Sequence, residues 1–103
     1  MYLALLGPSH PRDVNVTVIS SVAIRVKWKE PAQPNGVIKG YVISYGTSKD
    51  SLLSESRVTG NTFERTIDSL RKFTTYYITV RGRTTKPGNA SRVLNATTFE
   101  DRK

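Results

Sequence analysis

Apolar residues in this chain recur at every second position, not every third or fourth. Residues 14–20 (VNVTVIS) alternate, and so do residues 22–28 (VAIRVKW), where Ile24, Val26 and Trp28 share one face and Arg25 and Lys27 the other. In residues 39–46 (KGYVISYG), Tyr41, Ile43 and Tyr45 oppose Val42 and Ser44. Residues 76–83 (YYITVRGR) group Tyr76, Ile78 and Val80, and residues 92–98 (RVLNATT) group Leu94 with Ala96. Successive side chains of a strand point to opposite faces, so a period of two, carried by β-branched and aromatic residues, predicts half-buried strands. Turn chemistry bounds the runs: PAQPNG (31–36), GTSKDS (46–51), TGNT (59–62) and TKPGNAS (85–91). No stretch carries a helical stripe, and there is no internal repeat. Short strands at regular spacing, each with one apolar face, predict an antiparallel sandwich whose sheets bury one face against each other and leave the other wet. Trp28, the one tryptophan, lies on the apolar side of its strand and is expected at the centre of the core.

Composition narrows the class. The 103 residues suffice for one domain, and 37% apolar with 23% charged residues is a folded rather than a disordered balance. No apolar run approaches the roughly 20 residues that cross a bilayer. The run YLALL near the N-terminus has five and lacks the basic start of a secretory signal. Residues 1–10 read as a leader or upstream linker, residues 11–100 as the domain and residues 101–103 as a linker tail; alternatively, residues 3–6 add an edge strand. With no cysteine, disulfides, thiolate metal sites and cysteine nucleophiles are excluded, while the compartment stays open.

In sequence order these runs resemble the fibronectin type III domain. The residues that carry the likeness are Pro11 with Val14 and Val16, then VAIRVKWKEP (22–31) with proline soon after its tryptophan, GYVISYG (40–46), LRKFTTY (70–76) and TTFE (97–100). The resemblance spans nearly the whole chain and implies a seven-stranded, immunoglobulin-like antiparallel sandwich of two sheets. It implies that Leu70 and Tyr76 form the family's tyrosine corner, with the Tyr76 hydroxyl closing a backbone bond in the preceding turn. Two positions depart from the pattern. Lys72 stands where the corner usually has proline, and Arg65 stands where an apolar residue is usually buried. Phe63 shares the parity of Arg65 and is expected to cover the gap while Arg65 reaches its head to water.

Catalytic chemistry finds no support. The one histidine, His10, lies in the expected leader, and the eight carboxylates are scattered, with only Glu100 and Asp101 adjacent. A His-based triad, a calcium loop and a two-carboxylate site are therefore not indicated, and NGVIKG (35–40) lacks the spacing of a phosphate loop. No cofactor is implied. The adhesive tripeptide Arg-Gly-Asp found in the family is absent, since Arg81-Gly82-Arg83 matches only its first two letters. Asn-x-Ser/Thr occurs three times, at Asn15, Asn89 and Asn95. With five asparagines and 22 Ser plus Thr in 103 residues, chance predicts about one such motif. Alternation points Asn15 and Asn95 outward, and Asn89 sits in a Pro-Gly turn, so all three are candidate glycan acceptors.

Charge adds a second theme. Sixteen Lys+Arg against eight Asp+Glu give a net charge of +8 and a pI near 10.1, which favours acidic partners. One outward group is Arg25, Lys27 and Lys29. The other is Lys39, Arg81 and Arg83, with Lys86 and Arg92 flanking the adjoining loop. The resemblance implies a non-catalytic extracellular or cell-surface module, monomeric by itself, that serves adhesion and spacing within a larger protein and meets other protein domains. One alternative is a module that binds heparin-like sulfated glycans through one basic group; a second is an intracellular module of a muscle-type or enzyme-linked array, which the lack of cysteine allows and the three outward Asn-x-Ser/Thr motifs argue against. Nucleic acid is disfavoured, because Tyr77 and Phe73 do not interleave with the arginines as a stacking platform requires. Membrane insertion is not indicated.

Overall fold

The computed structural model describes residues 6–100, which form eight strands and no helix. In chain order these are β1 (Arg12–Val18), β2 (Ile24–Lys29), β3 (Gly40–Gly46), β4 (Ser54–Thr59), β5 (Glu64–Ile67), β6 (Thr75–Arg83), β7 (Pro87–Ala90) and β8 (Leu94–Thr97). One sheet is ordered β1-β2-β5; the other is β4-β3-β6-β7, with β8 also on β6. The sandwich is the expected one. The eighth strand arises because the last strand is broken in two, and β7 and β8 pair with successive parts of β6. At the break, Ser91 N–H donates to Val80 O at 2.8 Å, and Val80 N–H donates to Ser91 Oγ at 3.0 Å.

Residues 87–90, read as a turn, are therefore strand. Their Pro-Gly-Asn sequence has poor β propensity, but an edge strand tolerates proline, and backbone bonds alone hold it here. The N-terminal boundary also differs from the expectation. Residues 1–5 and the expected tail at 101–103 lie outside the described residues, as does most of the alternative strand at 3–6. From Gly7 onward the chain is docked: Ser9 N–H donates to Gln33 O at 2.9 Å and Asn89 N–H to Pro8 O at 3.0 Å. Asn35 Nδ2 donates to Gly7 O at 2.9 Å, and Pro8 is fully buried.

Each strand delivers its apolar parity inward. Ile24, Val26 and Trp28 of β2 meet Tyr41 and Ile43 of β3 and Tyr76, Ile78 and Val80 of β6, with Ile67 and Leu70 closing one end. Trp28 and Tyr41 cross between the sheets with ring centroids 5.4 Å apart and planes inclined at 55°. Phe63 lies against Tyr41 at 5.9 Å. Arg65 pairs with Val26 and so shares its inward parity, yet it stays exposed at the sheet edge. Its Nε donates to Ser56 Oγ at 2.8 Å, which joins the edge strand of one sheet to the edge strand of the other. Lys72 at the corner leaves the corner bond in place: Arg71 N–H donates to the Tyr76 hydroxyl at 2.9 Å. Thr98 Oγ1 donates to Arg71 O at 2.6 Å and accepts from Thr74 N–H at 3.0 Å, tying the chain end to the same turn.

Two predictions concern this core. Trp28 is 4% exposed, and emptying a buried aromatic site costs about 3–5 kcal/mol. Chemical denaturation of Trp28→Ala should show that loss, and a loss below about 1 kcal/mol would remove Trp28 from the core. The second concerns Tyr41, whose hydroxyl has no hydrogen-bond partner among the described residues. Burial, and then the nearby Glu30 carboxylate, push its pKa above the ordinary tyrosine value of 10.0. The unfolded chain therefore releases this proton first, so the stability that Tyr41 contributes is fully present below pH 10 and is lost as pH rises through its folded value. Tyr41→Phe should flatten that alkaline decline in urea melts and cost little at neutral pH, since no hydrogen bond is broken. An unchanged alkaline slope would refute it.

Candidate interaction surface

Strand parity and register together place the charged side chains. On the five-stranded sheet, Arg57 of β4, Val42 of β3 and Arg81 of β6 fall in one cross-strand row, and Thr59, Gly40 and Arg83 in the next. Because Ile43 and Val80 are inward, Val42, Arg57, Arg81 and Arg83 are outward. They wall a cavity of about 230 Å³, which Glu55 and Lys86 complete. Arg81 and Arg83 are exposed, and Val42 is half-buried. Thr79, on the same outward face, is 9% exposed; a short side chain on the middle strand is shaded by its neighbours. Gly82 allows the tight inward passage between the two arginines, because a Cβ there would stand 3.3 Å from the Tyr41 ring.

The expected five-membered group is thus rearranged. Arg81, Arg83 and Lys86 come together. Lys39 is adjacent through the backbone, its N–H donating to Arg83 O at 2.8 Å, but its position has the parity of Tyr41 and it does not line the cavity. Arg92 is elsewhere, beside His10, Arg12 and Asp13 in a separate cleft of about 590 Å³ near the start of β1. Arg57 joins the group instead. The sequence signal for it was the outward parity of SESRVT (54–59), in which only Val58 is apolar. Arg57 Nη2 lies 3.2 Å from Glu55 Oε1. Among the described residues no carboxylate pairs with Arg81, Arg83 or Lys86.

The second group lies on the outer face of the three-stranded sheet, and Arg25, Lys27 and Lys29 all project to solvent from β2. Its charge is largely offset. Lys27 Nζ is 3.8 Å from Glu64, and Lys29 Nζ is 3.4 Å from Asp13. Such exposed pairs add little stability, but they cancel local field.

All three candidate acceptor asparagines are exposed. Asn15 pairs with Lys27 and Asn95 with Tyr77, so they stand on opposite faces of the sandwich. Asn89 lies in β7 rather than in a turn. The hydroxyl of its motif, on Ser91, is buried and donates to Arg92 O at 3.1 Å. Among the described residues no cluster of three or more His, Cys, Asp or Glu is placed to hold a metal ion. No helix among them is long and apolar enough to cross a membrane.

Comparison with known proteins agrees with this architecture. The family described as fibronectin type III domain matches residues 9–97. The chain is 37% identical over 103 residues to the mouse cell adhesion molecule DSCAML1, covering 92% of this chain and 5% of that protein. It is 36% identical over 104 residues to the human cell adhesion molecule DSCAM, with the same coverage. A Drosophila cytokine receptor is 29% identical over 97 residues, covering 85% of this chain and 8% of the receptor. Among solved structures, the chicken CNTN1 FN1-FN3 domains superpose with a TM-score of 0.80 at 26% identity, covering 89% of this chain and 32% of that one. The chain therefore spans only about 5% of the length of the adhesion molecules it matches.

Proposed function

This chain belongs to the fibronectin type III family, and from that premise we propose that it serves as an adhesion and spacer module of a larger multidomain protein, outside the cell or on its surface. It meets other protein domains and does no chemistry of its own. The observation that carries this reading is where the chain enters and leaves. Gly7–Ser9 are held at one pole by Gln33, Asn35 and Asn89. The exit is held at the other pole, where Phe99 N–H donates to Ser20 O at 3.4 Å and Phe73 N–H to Phe99 O at 3.0 Å. The principal extents of the molecule are 51, 26 and 18 Å. A sandwich entered and left at opposite poles extends a chain instead of folding it back. The adhesive character is supported by the similarity to DSCAML1 and DSCAM, and the serial arrangement by a structural neighbour that contains three such domains, of which this chain covers about a third.

Two copies joined in series should give, by small-angle X-ray scattering, an elongated particle with roughly twice the maximum dimension of one copy. A particle of nearly unchanged maximum dimension would show side-by-side collapse and would end the spacer reading. The candidate glycan acceptors have their own check. Expression through a secretory pathway should add glycan at Asn15 or Asn95, seen as a mass decrease after glycosidase treatment. Secreted material of unmodified mass would return these motifs to coincidence.

A further inference from the structure

We propose that the groove on the outer face of the five-stranded sheet, walled by Arg57, Arg81, Arg83 and Lys86, binds a sulfated polysaccharide. The proposal relies on the extracellular placement above for its biological setting, while the binding itself is testable without it.

Four cations face this groove against a single carboxylate, Glu55, which sits 3.2 Å from Arg57. On the opposite outer face β1 and β2 present Arg12, Arg25, Lys27 and Lys29, of which Lys27 and Lys29 are engaged by Glu64 and Asp13. Uncompensated positive charge is therefore greater at the groove, where Arg81, Arg83 and Lys86 have no carboxylate partner among the described residues, than on the opposite face, where Arg12 and Arg25 remain.

The scaffold is rigid where it matters. Arg57, Arg81 and Arg83 stand on strands within a continuous antiparallel ladder, so their backbone positions are fixed before any ligand arrives. Arg81 and Arg83 are two residues apart on β6, about 7 Å, and Arg57 and Arg81 flank the β3 strand at about 10 Å. A linear polymer carrying closely spaced anions can meet several of these cations at once along its length. Three of the four are arginines, whose planar donor pairs match the oxygens of a sulfate as they match those of a phosphate or carboxylate. The floor is Val42, with Thr85 and Pro87 at one wall. That surface suits the apolar face of a sugar ring and offers no aromatic ring for a nucleobase to stack on.

Asn95 is on the same outer face but pairs with Tyr77, four residues from Arg81 and about 13 Å along the strand. A glycan attached there is a neighbour of the groove, not a part of it, and the test uses unglycosylated protein so that the two are separated.

The experiment is heparin-column elution and its salt dependence for the bacterially produced chain, with desulfated heparin and polyglutamate as comparison probes. Arg81→Ser with Arg83→Ser is set against Arg25→Ser with Lys27→Ser, two variants of equal net charge. The proposal expects the first pair to lower the eluting salt and to reduce the slope of log affinity against log salt by about two, as two lost contacts release fewer counterions. The second pair should leave both nearly unchanged. Arg57→Ser with Lys86→Ser, on the other wall, should act in the same direction as the first pair. Thermal melts check that every variant is folded, as these exposed positions lead one to expect. Equal shifts for the 81/83 and 25/27 pairs would overturn the site in favour of diffuse attraction. Retention by polyglutamate equal to that by heparin would overturn the sulfated-glycan assignment and point to an acidic protein, and equal retention by desulfated heparin would overturn the role of the sulfates and point to a carboxylated glycan.

Discussion

The contact between Trp28 and Tyr41 joins a strand of one sheet to a strand of the other, with centroids 5.4 Å apart. Everything outward is decided by what this contact holds inward. With Trp28 inside, Arg25, Lys27 and Lys29 must face solvent on the three-stranded sheet. With Tyr41 inside, Val42 faces out, and the register then carries Arg57 and Arg81 to either side of it. A slip of one residue in β6 would exchange Ile78 and Val80 for Thr79 and Arg81 in the core. Burying an unpaired guanidinium costs several kcal/mol, so the arginines reinforce the register that the apolar residues select. Core packing and surface charge placement are two consequences of one alternation.

That dependence explains what was legible in the sequence. Strands β1, β2, β3 and β6 carry bulky residues at alternate positions, and their inward faces could be read directly. β4 (SESRVT) and β5 (ERTI) have one apolar residue each in inward positions, Val58 and Ile67, because edge strands need bury little. β7 (PGNA) pairs through its backbone and leaves no side-chain signal at all. The candidate surface follows the same line. Arg81 and Arg83 were placed by the strong pattern of β6. Arg57 sits on a weakly patterned strand and was missed. Lys39 and Arg92 flank strand ends, where nearness in sequence says little about which way a side chain leaves the sheet. The docking of Gly7–Ser9 uses main-chain groups, the Asn35 amide and the Ser9 hydroxyl, which alternation cannot reveal.

The open edges of the sandwich are managed by polar means. Arg65 occupies an inward position on β5 but stays exposed and donates to Ser56 on β4, so the gap between the two edge strands is spanned by a cation. An inward-pointing charge on an edge strand resists pairing with a further strand, because a continuing ladder would have to bury it. The family's usual apolar residue at this place would add to the core and remove that obstacle. Arg65 thus gives up some buried area and places a charge where a further strand would have to pair. In the proposed spacer role, such an obstacle would favour joining at the poles over pairing at the sides.

The two outer faces then differ in what remains free to interact. On the three-stranded sheet, Asn15, Lys27 and Glu64 form one row, so a sugar on Asn15 would cover cations whose charge is already offset. On the five-stranded sheet, Asn95 lies beside Tyr77 at the end of β6 remote from Arg81 and Arg83. Glycans at both positions would shield the neutralised face and one end of the other, leaving the arginine groove as the open cationic surface nearest the pole where the chain enters. Its position is fixed by the same strand order that separates the poles, so a chain of such modules would present its charged grooves along its length and its joints at its ends.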